Sequence, residues 1–249
     1  MSLMRLLPFT TSISSVYPLD QVEENSTAEI STEMREFFRG GIPRGKSIVY
    51  YTQPGVEGEV FGMQTAYNTL KNGGICVFIA SSTSPGNIKN QFRESGWDVD
   101  PFKNRFFFVD AYNPLIGAPS KEKYVITNPE NIYEFSKEIK NLLKEIPAST
   151  VVFGSLSTIM DLCGERETIE AVKSWNIAGA LQGHVLVYNF TAWPYSQETL
   201  SLIRKDLFNA VICIGGITGN TILGQCFGVL KSDWVSKQRN PCLSRCHEP

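Results

Sequence analysis

The chain has 249 residues, of which 42% are hydrophobic and 19% are charged. This composition is ordinary for a globular protein and excludes an intrinsically disordered one, while the length allows one large domain or two small ones. The 23 basic and 25 acidic residues give a net charge of −2, which argues against the broad positive field of a strong nucleic-acid binder. No apolar run approaches the roughly 20 residues needed to cross a bilayer.

The N-terminal apolar stretch is short, because Pro8 follows Leu6 and Leu7 directly. It is too short for a signal peptide, so we expect a cytoplasmic protein whose cysteines are reduced. Four of the six cysteines lie in or beside apolar runs and are predicted to be structural. These four are Cys76, Cys163, Cys213 and Cys226.

The C-terminal tail carries Cys242, Cys246 and His247 within six residues. A closed structural zinc site needs about four ligands, and only three are present locally. We therefore expect no metal at this tail, and no cofactor elsewhere. His184 is the only other histidine; it begins an apolar strand and is predicted to be structural.

Apolar strands and amphipathic helices alternate along the sequence. A Ser-, Thr- and Glu-rich arm over 1–30 is followed by a short helix over 32–39. The predicted strands are 47–52 (SIVYYT), 75–80 (ICVFIA), 105–109 (RFFFV), 150–153 (TVVF), 184–191 (HVLVYNFT), 210–214 and a last one near 225–231. The further predicted helices cover 60–71, 84–96, a segment opened by Asn128-Pro129-Glu130, the surroundings of 165–175, and 196–207.

This alternation predicts an α/β fold with a mostly parallel central sheet that is covered by helices on both faces. The Gly-rich turn over 215–219 joins the last two strands and predicts an antiparallel C-terminal edge. One core domain over 31–235 is the simplest organisation. It is preceded by the arm over 1–30 and followed by the tail over 236–249.

The turn after the first strand decides the functional interpretation, because ligands bind at the carboxyl ends of the strands in such folds. A phosphate-binding loop reads G-x-x-x-x-G-K-[ST], in which the Lys neutralises phosphate and the hydroxyl binds magnesium. On this template, the acid Glu59 stands at the position of the Lys, and Glu57 adds a second negative charge. The loop is made of Gln53, Pro54, Gly55, Val56, Glu57, Gly58, Glu59 and Val60.

The flanking sequence resembles the KaiC-like branch of the RecA/DnaB ATPase superfamily. The resemblance rests on 37–45 (FFRGGIPRG), which leads into the first strand and the loop, and it extends over about residues 35–235. Further matching segments are 61–64 (FGMQ), 67–68 (YN), 71–73 (KNG), 95–98 (SGWD), 109–112 (VDAY) and 151–157 (VVFGSLS). The resemblance implies a RecA-like fold of the phosphate-loop NTPase type.

The same resemblance implies that the catalytic groups of the family are missing. Glu59 and Val60 stand at the Walker A Lys and Thr, and Gly154 stands at the Walker B Asp. Ser82 and Thr83 occupy the positions of the paired Glu residues that activate water. In the Lys-x-Arg finger that reaches a neighbouring subunit's phosphate, Lys231 matches but Asp233 replaces the Arg. We therefore predict degenerate Walker A and Walker B motifs, no catalytic residues and no strong nucleotide binding.

Three functional hypotheses remain open from the sequence. The first is a pseudo-ATPase scaffold that binds a protein or peptide partner or associates with itself, without a membrane or nucleic acid. The second is a ligand-binding or enzymatic protein whose former nucleotide site accepts an uncharged or cationic ligand. The third is a DNA-recombination accessory, which the near-neutral charge disfavours.

Several other side chains have both a functional and a structural interpretation. The pair Glu57 and Glu59 is compatible with acid–base chemistry, but carboxylates also favour the positive end of a helix. Asn189 and Thr191 lie where the family places polar sensor groups, although backbone hydrogen bonding would explain them equally well. The tryptophans at 175, 193 and 234 are predicted to pack in the core or at an interface rather than to stack on bases.

Overall fold

A computed structural model describes residues 41–218 and 222–234, and for 216–218 and 222–227 it describes the backbone alone. The predicted arm, the helix over 32–39 and the tail with Cys242, Cys246 and His247 lie outside the described residues. None of the helices in the described ranges is long and apolar enough to cross a membrane.

Eight strands form one sheet with the spatial order β4-β3-β2-β5-β6-β1-β7-β8. All neighbouring strands are parallel except β7 and β8, which pair antiparallel at one edge. The α/β prediction with an antiparallel C-terminal edge is therefore confirmed. The strands are β1 (Ser47–Thr52), β2 (Cys76–Ala80), β3 (Phe106–Asp110), β4 (Tyr124–Val125), β5 (Thr150–Phe153), β6 (Val185–Thr191), β7 (Ala210–Thr218) and β8 (Ile222–Ser232).

Six α-helices cover the described part of the sheet. Residues of α1 and α2 pack on one face, and residues of α3, α4, α5 and α6 pack on the other. Because both faces are covered, the strands read as continuous apolar runs. The helices are α1 (Glu59–Lys71), α2 (Pro85–Glu94), α3 (Ile132–Glu145), α4 (Leu156–Cys163), α5 (Glu165–Gln182) and α6 (Gln197–Lys205).

The start of α3 differs from its prediction. The sequence Asn128-Pro129-Glu130 forms a turn, and the N-cap is Asn131, whose side chain accepts hydrogen bonds from the backbone N–H groups of Tyr133 and Glu134. Asn128 and Asn131 both suit an N-cap, and only the second lies next to the buried Ile132.

Trp175 on α5 is the largest fully buried side chain. Its ring stacks on Phe153 with centroids 5.1 Å apart and lies 5.7 Å from the ring of Phe135. Its indole N–H donates to the Ser136 hydroxyl oxygen at 3.0 Å. The prediction that this tryptophan belongs to the core is confirmed, and its stack on Phe153 fixes the end of β5 at the site described below.

Candidate functional site at the carboxyl ends of four strands

The predicted loop lies where four neighbouring strands end. The registers place Thr52 of β1 beside Thr191 of β6 and Ile79 of β2 beside Phe153 of β5. The loop over 53–58 follows β1, and α1 begins at Glu59. Since α1 packs over β6, β5 and β2, the first turn of this helix lies above the ends of those strands.

The interior of the loop is occupied by the protein itself. The side chain of Thr52, at the end of β1, is 2% exposed and lies against Gly58. A β-carbon on Gly58 would lie 2.7 Å from Cβ and Cγ2 of Thr52. Only glycine fits at this junction, so the loop closes tightly against its own strand.

Glu59 opens α1 and faces Ser82, which follows β2. Burial raises the pKa of the Glu59 carboxyl, and a hydrogen bond from the Ser82 hydroxyl partly opposes this shift. The residue as a whole is exposed, so solvent screens part of this interaction. These two residues are far apart in the sequence, and the resemblance to KaiC-like proteins assigns them to the Walker A and catalytic-Glu positions.

Asn189 on β6 lies beneath the first turns of α1. Its amide Nδ2 donates to the carbonyl of Gly154 at 3.2 Å, and its side chain is so close to Gly62 that a β-carbon there would lie 2.6 Å from Oδ1. Asn189 is 3% exposed, and Oδ1 has no hydrogen-bond partner within the described residues. A buried acceptor without a donor is uncommon and calls for an explanation.

Gly154 follows β5 and has no room for a side chain. A β-carbon at this position would lie 2.8 Å from the carbonyl oxygen of Ile79 and 2.9 Å from Cε1 of Phe78. Beside it, the Ser81 hydroxyl donates to the carbonyl of Ser155 at 3.0 Å and accepts from the N–H of Ser155 at 3.2 Å. Backbone and hydroxyl groups therefore fill the position predicted to replace the Walker B carboxylate.

The remaining predicted positions have structural partners. Thr83 accepts a hydrogen bond from the side chain of Asn87 at 3.1 Å. Lys231 donates to the carbonyls of Lys205 and Phe208 at 2.6 and 2.9 Å. Asp233 forms an ion pair with Lys46 at 3.0 Å.

The two finger positions lie away from the loop. Lys231 pairs with Val211 near the start of β7, and Lys46 precedes β1. Because β7 runs parallel to β1, both positions lie at the amino ends of these strands. Within one chain, the structure does not bring them to the site.

The other candidates are accounted for by structure. His184 is 1% exposed, accepts at Nδ1 from the backbone N–H of Ser149 at 3.1 Å and donates from Nε2 to the carbonyl of Leu143 at 2.8 Å. Burial lowers its pKa, which keeps the imidazole neutral. Cys76 is buried, and the pKa of Cys163 is raised to about 11, so neither is a reactive thiolate. Among the described residues, no three His, Cys, Asp or Glu side chains converge on a metal position.

Two contacts at the site were not predicted from the sequence. Gly62 lies inside α1, where glycine costs about 1 kcal/mol relative to alanine. An isolated glycine in a helical pattern is a signal of close packing, and it marks the approach of Asn189. The Ser81–Ser155 bridge has no comparable signal, because serines are common after strands.

Exchanging the carboxyl of Glu59 for an amide tests its environment. Because its pKa is raised in the folded state, the folded protein holds this proton more tightly, and stability falls as pH rises from the unfolded to the folded pKa. Glu59→Gln should therefore raise the free energy of unfolding at pH 7, by about 0.5 kcal/mol or less because the residue is exposed. Urea unfolding at neutral pH and at roughly pH 3.5 should show a gain that vanishes in acid. A loss of stability at neutral pH would contradict the assignment.

Comparison with protein families gives a match to the family described as "ATPase: KaiC" over residues 29–175. Similar curated proteins are UPF0273 proteins of Pyrobaculum aerophilum, Thermotoga maritima and Aeropyrum pernix. The protein of P. aerophilum is 31% identical over 127 residues, which cover 50% of this chain and 45% of that protein. The proteins of T. maritima and A. pernix are each 32% identical over 129 residues, which cover 51% of this chain and 53% and 52% of those proteins, respectively. The match thus spans about half the length of these relatives.

Among solved structures, a KaiC-like protein of Pyrococcus horikoshii OT3 superposes with a TM-score of 0.67. The superposition covers 85% of this chain and 90% of that protein, at 20% sequence identity. At this identity, the likeness concerns the fold, which is that of the KaiC and RecA type.

Proposed function

The chain belongs to the KaiC ATPase family, and we propose that it is a non-hydrolysing member, a pseudo-ATPase that acts as a scaffold for a protein or peptide partner or for self-association. The observation that carries the proposal is that Glu59 is the first residue of α1, which begins directly after the loop at the end of β1. It places a carboxylate on the first residue of the helix that would receive phosphate.

The charge at this position opposes nucleotide binding. Phosphate is held at a helix N-terminus by backbone N–H groups and by cations, which the helix dipole assists. A carboxylate about 4 Å from a phosphate oxygen costs on the order of 4 kcal/mol at an effective dielectric constant of 20. That energy corresponds to about a thousandfold weaker binding, before the loss of the lysine is counted.

Hydrolysis would need further groups that these positions do not supply. Phosphoryl transfer depends on a held metal ion, an oriented water and a cation that stabilises the developing charge. Gly154 offers no carboxylate for a metal, and Ser82 is a poor general base. The absence of these groups together supports a protein that retains the fold of the family but does not hydrolyse ATP.

Exposed apolar side chains support a role in protein binding. Ile177 and Leu181 lie one turn apart on α5 and are 64% and 79% exposed, and Trp193 after β6 is 68% exposed. Neighbouring apolar side chains on a surface, such as Ile177 and Leu181, are typical of interaction sites, and Trp193 is a separate exposed apolar side chain. The loop over 53–60 contains Glu57 and Glu59 and no Lys, Arg or His, which does not favour the alternative of a DNA-recombination accessory.

The proposal is tested with ATP and Mg²⁺ by calorimetry and phosphate release. We expect no hydrolysis above a protein-free blank and a dissociation constant on the order of 1 mM or weaker. Glu59→Lys should tighten nucleotide binding about tenfold or more without hydrolysis, because it restores only the cation. Glu57→Lys, the same charge change two residues away, should have a smaller effect.

Two outcomes would overturn this proposal. The first is a submillimolar affinity of the unmodified protein for ATP. The second is hydrolysis whose rate changes in a Glu59 variant. Self-association is tested separately by light scattering over a range of protein concentrations. We expect it not to depend on added nucleotide.

A further inference from the structure

We infer that a cavity beside β3, at the edge of the sheet, binds a small uncharged planar ring that carries an amide N–H next to a carbonyl, as lactam rings do. The cavity shares no residue with the loop over 53–60, so the inference does not depend on the proposed function. It assigns a ligand site to the edge of the sheet where β4 meets β3.

The cavity has a volume of about 290 Å³ and lies between α2, the short 3-10 helix over 100–102 and the start of β4. Three consecutive residues of β3 line it, namely Phe106, Phe107 and Phe108. Because side chains alternate between the two faces of a sheet, three consecutive residues line one cavity only along the edge of their strand. The cavity therefore meets the backbone of β3.

The neighbouring strand covers only the far end of this edge. The two residues of β4 pair with Val109 and Asp110, the last two residues of β3. Within the described ranges, no strand pairs with Phe106 or Phe108 on this side. The first three residues of β3 thus form an open edge, and the cavity lies along it.

The backbone groups that face the cavity belong to Phe106 and Phe108. The carbonyl of Arg105 accepts a hydrogen bond from β2 at 2.9 Å, whereas that of Asp110 accepts one from the residue after β4 at 2.9 Å. Since successive strand residues direct their backbone groups to alternate edges, the two phenylalanines direct theirs to the same side as Asp110. In the described part of the chain, neither of their N–H groups nor the carbonyl of Phe106 is paired across this edge.

These backbone groups are held in place and largely removed from water. The ring of Phe106 lies 5.5 Å from that of Phe92 and 4.5 Å from that of Phe108, so both side chains are fixed in the core. Phe106 is 7% exposed and Phe108 is 3% exposed. Buried backbone groups without a partner are costly. A ligand that donates to the carbonyl of Phe106 and accepts from the N–H of Phe108 would satisfy two of them.

The length of the open edge favours a single ring over an added strand. β4 closes one end at Tyr124, and at the other end the N–H of Arg105 donates to the carbonyl of Phe102 at 2.7 Å in a turn. A carbonyl and an N–H two residues apart on one edge match the N–H and carbonyl of one neighbouring residue. A lactam ring carries the same two groups side by side, and the volume is near the lower limit for ligand pockets.

The charges around the cavity favour an uncharged ligand. Lys89 pairs with Glu122 at 2.8 Å, and Lys123 pairs with a glutamate of α3 at 2.9 Å. The remaining charged residues of the lining, Lys103 and Asp100, have opposite signs. A charged ligand would therefore gain little from this lining, whereas a polar uncharged ring would not need to be neutralised.

Tyr124 provides an aromatic wall. Its ring meets that of Phe107 edge to face, with centroids 6.3 Å apart, and its hydroxyl donates to Glu145 at 2.9 Å. These contacts fix the orientation of the ring, and the residue lines the cavity. Planar heterocycles stack on aromatic side chains, so we assign to Tyr124 the stacking contact with the ligand.

The test compares uracil, which has the required N–H and carbonyl, with 1,3-dimethyluracil, which lacks both N–H groups. Binding to the full ¹⁵N-labelled chain is followed by NMR at the backbone amides of Phe106 and Phe108. We expect uracil to shift these amides with a dissociation constant on the order of 1 mM. The dimethyl compound should bind at least about tenfold more weakly.

Variants of Tyr124 test the aromatic wall. Tyr124→Ala should weaken uracil binding about tenfold or more, because the stacking contact is lost. Tyr124→Phe keeps the ring and should bind uracil within about twofold of the unmodified protein. Tyr133→Ala is the matched control, since this tyrosine of α3 is 82% exposed and does not line the cavity. Circular dichroism confirms that the variants are folded.

Four results would overturn the inference. They are no uracil binding below about 10 mM, equal binding of the dimethyl compound, shifts confined to amides other than those of Phe106 and Phe108, and an equal loss in Tyr124→Ala and Tyr133→Ala. Tighter binding of a blocked tetra-alanine peptide at the same amides would also overturn it, in favour of an added strand. Tighter binding of an oligouridylate would overturn the assignment to a free ring.

Discussion

Trp175→Ala is expected to lower the free energy of unfolding by about 3–5 kcal/mol. The side chain is fully buried, stacks on Phe153 and donates its N–H to Ser136. The replacement removes the largest side chain of the core, leaves a cavity and deprives the serine of a donor. Urea denaturation followed by circular dichroism measures the change.

Trp193→Ala provides the matched control, because the same atoms are removed from a side chain that is 68% exposed. Its effect on stability should stay within about 0.5 kcal/mol. A similar loss in both variants would contradict the assignment of Trp175 as the support of β5.

Gly154→Asp is expected to destabilise the protein by about 3 kcal/mol or more, instead of restoring a metal ligand. The new Cβ would lie 2.8 Å from the carbonyl oxygen of Ile79, which belongs to the backbone of the neighbouring strand and cannot move cheaply. The carboxylate would also be placed in buried surroundings beside that carbonyl. Thermal and urea unfolding measure the loss.

Gly154→Ala isolates the steric part of this effect and should cost about 1–3 kcal/mol. Gly86→Ala is the control. Gly86 lies in the first turn of α2, and a β-carbon there would meet only the Ser84 hydroxyl oxygen, at 3.8 Å. It should be neutral or stabilising by up to about 1 kcal/mol. A stable Gly154→Asp protein that binds Mg²⁺ would show that the ATPase site can be rebuilt by one replacement.

Most of the fold follows from local sequence signals. The strands β1 and β5 have the bounds that their apolar runs predict, because a strand covered on both faces is uniformly hydrophobic. The helix α4 was not predicted, since it begins only two residues after β5 and its eight residues are a short, largely apolar stretch. The second half of α5 was missed because Ile177 and Leu181 face solvent and break the apolar periodicity.

The site was predictable as a place but not as a set of contacts. The turn residues over 53–58 and the rule that ligands bind at strand ends locate the loop. The resemblance to KaiC-like proteins assigns each loop residue to a position of the phosphate-loop motif. The approach of Glu59 to Ser82 depends on how α1 packs across three strands. This packing is a tertiary contact that the local sequence does not specify. The same holds for Asn189, whose Oδ1 has no hydrogen-bond partner in the described part of the chain and lies against Gly62 of α1.

The anchoring of Lys231 has a consequence for regulation. This lysine is occupied by the carbonyls of Lys205 and Phe208 within its own chain, and Asp233 beside it is held by Lys46. A lysine that is bonded within its own subunit does not contact the nucleotide site of a neighbouring subunit, so it cannot transmit which nucleotide is bound there. If copies of this chain assemble as proposed, we therefore expect the assembly to depend on protein concentration and ionic strength, and not on nucleotide.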